Sequence, residues 1–168
     1  MREQLEKLDL VFDKLGISSI DSFEDLLIMQ KAVYLLQIYG VDLGYRFNWH
    51  KHGPHNRRLT DDAYELMAER RGNQRLRNRL RLSEDAKKKV ERVKRLISER
   101  GTMDAAKWLE ALACIHYMKH FAYVPGPKSQ KNIVSKLLEY EDDLDVPVVT
   151  KAWNDLNAEN LIKHKVAG

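Results

Sequence analysis

This sequence predicts a mainly α-helical protein of about six to seven helices carrying one small two-stranded β element. Three observations predict it. Apolar residues recur at three- and four-residue spacing through most of the chain, usually behind a Ser, Asp or Asn that can cap a helix. Two segments, 23–39 and 105–121, are apolar around most of a helical circumference, the mark of helices central to a fold. The stretch Tyr45-Arg-Phe-Asn-Trp-His50 instead alternates aromatic and polar residues, as a half-buried strand does.

The first helix is expected over Glu3–Leu15, where Leu5, Leu8, Phe12 and Leu15 form one stripe and Gly16 follows. Asp21, Ser22 and Glu24 resemble a capping box for a helix that runs to about Tyr39 and stops at Gly40. On that helix Gln30, Lys31 and Gln37 leave only a narrow polar stripe. The alternating stretch then places Tyr45, Phe47 and Trp49 on one face until Gly53-Pro54 breaks it, so 45–56 reads as a hairpin built around a Gly-Pro turn. Phe47 is expected in the core, and Trp49 suits a core anchor or an interface anchor equally.

Asn56 or Thr60 can cap the next helix, which runs to about Arg70 with Leu59, Ala63, Leu66 and Met67 inward. Residues 70–81 read RRGNQRLRNRLR and contain no acidic residue. The end of this run, Leu76–Leu82, is expected to form a second short strand. Ser83 caps a charged helix over Glu84–Glu99 with Ala86, Val90, Val93 and Ile97 inward, and Asp104 caps the second strongly apolar helix, Ala105 to about Phe121. Helices over Ser129–Tyr140 and Pro147–Asn157 complete the chain, with Pro147 suited to a first turn. The whole, 1–168, reads as one helical domain with 70–82 as a basic insertion.

A chain of 168 residues can bury a sizeable core without a disulfide or structural metal. The single Cys114 excludes an internal disulfide framework and a cysteine-rich zinc site. No long uncharged apolar run and no signal-peptide pattern is present, so a cytoplasmic protein without a membrane span is expected. The net charge of +4 hides an uneven distribution, because 70–100 holds nine Arg and four Lys against Glu84, Asp85, Glu91 and Glu99. The segment 139–145 is acidic, so the two regions either pair or face different partners.

The stretch YRFNWHKHGPHNRRL, residues 45–59, concentrates unusual chemistry. His50, His52 and His55 are close in sequence, and His116 and His120 sit four apart on one helical face, a spacing zinc can use. Neither set shows the accompanying Glu of a metalloprotease motif, and the pair His116/His120 fits packing and hydrogen bonding beside aromatics. Cys114 sits in an apolar helical run, where a thiol is inert. No nucleophile elbow, phosphate-binding loop or dinucleotide fingerprint is present. The carboxylates are scattered or clustered in acidic surface segments. No catalytic residue and no cofactor are therefore expected.

Nucleic-acid binding is an alternative. Arg57, Arg58, Arg70, Arg71, Arg75, Arg77, Arg79 and Arg81 can form one basic face, and each phosphate contact would release counterions. A metal-dependent enzyme using His50, His52, His55, His116 or His120 is a third reading.

The order of motifs carries a resemblance. LLIMQKAVYLLQIYG is followed by LGYRFNWHKHGPHNRRLTDDAYEL, with KWLEALACIHYMKHF and VTKAWNDLNAENLI later in the chain. This order resembles the Panacea-type (SocA-like) antitoxin domain, and more closely its YwgA-like relatives of bacteria and archaea. The positions that match are Gln30, Lys31, Val33, Tyr34 and Leu35 on the helix, Trp49 on the strand, and Gly53 and Pro54 at the turn. His55-Asn56 replaces the pair usual after Gly-Pro, and the arginine-rich run is not a general feature of the family. The resemblance implies a non-enzymatic protein-binding role as an antitoxin or adaptor, with a toxin or effector as partner. The expected partner surface is Trp49, His50, His52, Gly53, Pro54 and Arg57. An exposed hydrophobic edge would also suit a homodimer.

Overall fold

The computed structural model describes residues 2–72 and 80–163. It is mainly helical. The helices are α1 (Arg2–Leu15), α2 (Phe23–Ile38), α3 (Arg57–Arg71), α4 (Glu84–Ser98), α5 (Ala105–His120), α6 (Gln130–Tyr140) and α7 (Val146–Ala158), and the strands β1 (Asn48–His50) and β2 (Gly53–His55) lie between α2 and α3. No helix among the described residues is long and apolar enough to cross a membrane.

The helix starts follow the capping chemistry. Ser22, Asn56, Ser83, Asp104, Ser129 and Asp145 each accept a hydrogen bond from the backbone N–H three residues on. Each satisfies a donor the first turn cannot. The reciprocal partner at α2 is Asp25 and not Glu24: its carboxylate accepts from the Asp21 N–H at 3.0 Å. Asn56, rather than Thr60, caps α3, with Oδ1 2.8 Å from the Leu59 nitrogen.

Helices α2 and α5 pack on each other at the centre. The pair α6 and α7 covers one flank of α5, while α3 and α4 pack on α2 and α1 packs on α3 and α4. One continuous hydrophobic cluster joins them, from Leu8 and Phe12 through Val33, Leu36, Trp108 and Leu112 to Val149 and Leu156. On α4 the inward stripe is Val90, Val93 and Leu96, with Ala86 and Ile97 only half-buried. At 3.6 residues per turn Leu96 continues the Val93 line toward Trp108, whose indole N–H donates to the Leu96 carbonyl.

The β element differs from expectation in two ways. Strand β1 is three residues long and begins at Asn48, so Tyr45 and Phe47 precede it. Its antiparallel partner is the immediately following Gly53–His55, in register Asn48↔His55, Trp49↔Pro54 and His50↔Gly53. The Gly-Pro pair therefore forms a strand instead of ending one. Of the expected strand Leu76–Leu82, residues 76–79 lie outside the described residues and 80–82 have no regular structure.

Candidate functional site

The hairpin is too short to satisfy its own backbone, and the polar stripe of α2 completes it. Gln37 brackets Tyr45 like a strand partner, with Nε2 donating to the Tyr45 carbonyl at 2.7 Å and Oε1 accepting from its N–H at 2.9 Å. Gln30 does the same at the other end, donating to the Asn56 carbonyl at 2.7 Å and accepting from its N–H at 3.0 Å. Between them the Lys31 ammonium donates to the Pro54 carbonyl. Residues 30 and 37 are two turns apart and share one helix face. Gln30 and Lys31 are consequently buried, at 1% and 2% exposure.

Strand β2 is the inner strand, packed against α2 and α5. Gly53 has φ +91° and approaches α5 so closely that a Cβ there would collide with Cys114 Sγ. Gly53 and Pro54 are both buried, so within the hairpin they set the position of β1. Strand β1 is the outer one. Trp49 lies opposite Pro54, which has no N–H to give. The ladder hydrogen bonds therefore belong to the flanking pairs, and the Trp49 backbone groups point away from β2.

That outer edge borders an aromatic surface. A cleft of about 420 Å³ is lined by Trp49, Tyr117, Met118, Tyr123, Pro125 and Tyr140 among others. A second, of about 400 Å³, is lined by Tyr34, Tyr45, Phe47, Tyr117 and Phe121 among others. Tyr117 belongs to both. Tyr123 is 91% exposed and Phe121 and Tyr140 are 50% exposed. Trp49 is half-buried, with its ring 5.7 Å from Tyr117 and 5.4 Å from Tyr140. Phe47, expected in the core, is also only half-buried: its ring meets Tyr34 edge-on at 5.3 Å and its other side faces the second cleft.

On the other side of the turn lies a polar cluster. His52 Nδ1 is 3.0 Å from Glu110 Oε1 on α5 and 3.7 Å from Glu141 Oε2, just after α6. Glu110 and Glu141 are buried, at 3% and 5% exposure. Their carboxyls stand within hydrogen-bonding reach of each other, and burial, the largest cause for both, holds them above the usual carboxylate range. Burial also lowers Lys31, while Cys114, Glu110 and Glu141 oppose that shift. The acidic segment 139–145 is therefore not wholly a solvated surface, since Glu141 turns inward and Asp145 caps α7.

His50 and His55, on strands β1 and β2, have ring centroids 4.9 Å apart and planes tilted by 51°. With His52, Lys31 and the exposed Phe23 they border a cleft of about 310 Å³. His116 and His120 are adjacent, with ring centroids 4.5 Å apart. His116 Nδ1 pairs with the Tyr34 hydroxyl at 2.7 Å, and His120 Nε2 meets the Leu161 carbonyl at 2.7 Å. Burial first, then His120, depresses His116 to about 3.

Of the described arginines expected on one basic face, one is tied into the fold. Arg70 is committed to Asp9, at 2.6 Å from Nη2 to Oδ1, and to the Ile17 carbonyl. Arg57, Arg58, Arg71 and Arg81 are exposed. Arg75, Arg77 and Arg79 lie outside the described residues.

Sequence reasoning missed Lys31, Glu110 and Glu141 as site residues. A signal existed for the first two, since each interrupts an otherwise apolar helix that must be covered on all sides. No family model, curated protein or solved structure matches the chain.

Proposed function

We infer that this protein is a non-enzymatic binding module that docks another protein on the aromatic surface beside β1, in the manner of an antitoxin or adaptor. The observation that carries this reading is the pair of clefts joined at Tyr117 and bordered by Trp49, Phe121, Tyr123 and Tyr140. Trp and Tyr in adjoining pockets are the residues that dominate binding energy at protein interfaces. A contiguous exposed aromatic patch is uncommon on a surface without a partner. The resemblance to Panacea-type domains supports a toxin or effector as that partner.

The test is capture from native lysate by the immobilised full chain, with and without nuclease. One protein recovered in near-equal amount, untouched by nuclease, is the expected result. Tyr123→Ala and Tyr140→Ala should each weaken capture by about 30-fold, as loss of a hot-spot aromatic does. These side chains are exposed, so the fold should survive. Capture that persists in both variants overturns the reading. Capture that vanishes with nuclease favours the arginine-bearing surface and a nucleic-acid ligand instead.

A further inference from the structure

The cluster under the hairpin turn draws its side chains from three places: His52 from the turn, Glu110 from α5, and Glu141 and Asp143 from the connection between α6 and α7. The donor atoms of His52, Glu141 and Asp143 all lie within 4.8 Å of one another. Ligand atoms held about 2.0–2.2 Å from a tetrahedral ion stand roughly 3.3–3.6 Å apart. The His52 Nδ1 spacings of 3.0 Å to Glu110 Oε1 and 3.7 Å to Glu141 Oε2 bracket that value. Glu110 Oε1, 3.0 Å from the same His52 nitrogen, stands beside this group as a fourth ligand.

A second observation is independent of this spacing. Glu110 Oε2 is fully buried and meets no hydrogen-bond donor among the described residues, on a side chain only 4% exposed. An unpaired buried carboxylate oxygen is costly. Two ionised carboxylates have no donor to share, so the pairing of Glu110 with Glu141 needs a proton or a cation between them. The nearby Lys31 ammonium is directed to the Pro54 carbonyl. Asp143 is exposed, which leaves the cluster open to solvent at one corner.

The geometry points to a binding site for a divalent cation of the zinc class, held by His52, Glu110, Glu141 and Asp143. One imidazole nitrogen with three carboxylates suits zinc better than magnesium or calcium, which prefer all-oxygen shells and more ligands. The ion would tie the hairpin turn to α5 and to the start of α7, and so fix the strand that carries Trp49. It serves a structural role and performs no reaction.

The test uses the full chain, stripped with chelator and titrated calorimetrically with Zn²⁺ alone, with Mg²⁺ as control and thermal unfolding as a second readout. One Zn²⁺ per chain is expected, with a rise in Tm that Mg²⁺ does not reproduce. Asp143→Asn leaves the fold intact because Asp143 is exposed, and it should weaken Zn²⁺ binding at least about tenfold. Glu141→Gln should do the same, while replacing His50 and His55 together, or His116 and His120 together, should leave affinity unchanged. No saturable uptake overturns the assignment. So does uptake that survives Asp143→Asn and Glu141→Gln, or that is lost with His50 and His55. Partner capture is not read in this experiment, so its outcome is separate from that of the docking surface.

Discussion

Gly53→Ala tests how β2 is seated against α5. The backbone at Gly53 has φ +91°, a region an L side chain enters at a cost of about 1–3 kcal/mol. The new methyl would also overlap Cys114 Sγ, which is buried on the central helix and has little room to yield. Overpacking of this kind costs about 1–3 kcal/mol. Together the substitution should destabilise by about 3 kcal/mol, or a fall in Tm of roughly 6–12 °C for a chain of this size. The two causes separate in a double-mutant cycle. Cys114→Ala removes the sulfur and leaves Cys114 Cβ, 3.7 Å from the added methyl, an ordinary contact. Gly53→Ala should then cost about 1–2 kcal/mol less in the Cys114→Ala background, the steric part alone. Urea unfolding of the four proteins measures this. A single variant within about 0.5 kcal/mol of wild type would refute the conformational argument, and strict additivity in the cycle would refute the steric one.

Two further perturbations follow from the same structure. His116 is held neutral, with its value depressed to about 3 by burial and by His120. A histidine depressed in the fold contributes stability that is present above its unfolded value near 6.5 and lost as pH falls. Between pH 6.5 and 5 this amounts to about 2 kcal/mol. Urea unfolding at pH 7 and pH 5 should therefore show a larger loss for wild type than for His116→Phe; equal losses would contradict the assignment, since the two proteins differ at this residue alone. Arg70→Ala should cost about 1–2 kcal/mol, because a charge-assisted pair is lost at a partly exposed site. Asp9→Ala should add little on top of it, and a fully additive double variant would show that the pair does not act as one.

Much of the helical architecture could be read from local chemistry. Ser22, Ser83, Asp104 and Ser129 cap where their spacing from the apolar stripes places them, because a cap acts within one turn and needs no tertiary contact. The strand pairing was less legible. A Gly-Pro pair ordinarily ends a strand, and only the approach of β2 to Cys114 and the Lys31 bond to the Pro54 carbonyl make it a strand here. The buried cluster was hidden for a different reason. Glu141 lies within an acidic run that periodicity reads as solvated, and its burial depends on how the α6–α7 connection folds back toward His52. Gln30, Lys31 and Gln37 were visible as a polar stripe, yet whether such a stripe faces water or protein is decided by what packs beside it.

On the docking role proposed above, that stripe would supply an ordered edge. A two-stranded ribbon of three-residue strands is not stable alone in water. Here the inner strand, Asn56 after it and Tyr45 ahead of the outer strand are bonded to Lys31, Gln30 and Gln37, so the outer strand is held without using its own outward groups. A partner adding to β1, as proposed, would meet an edge already ordered and would lose little binding energy to fixing it. The same reasoning separates two kinds of change. Removing Gln37 or Gln30 loosens the edge and weakens both stability and capture. Removing Tyr123 leaves the edge in place and weakens capture alone. If both classes of variant lowered stability equally, the aromatic surface would be part of the packed interior, and the docking reading would lose its physical basis.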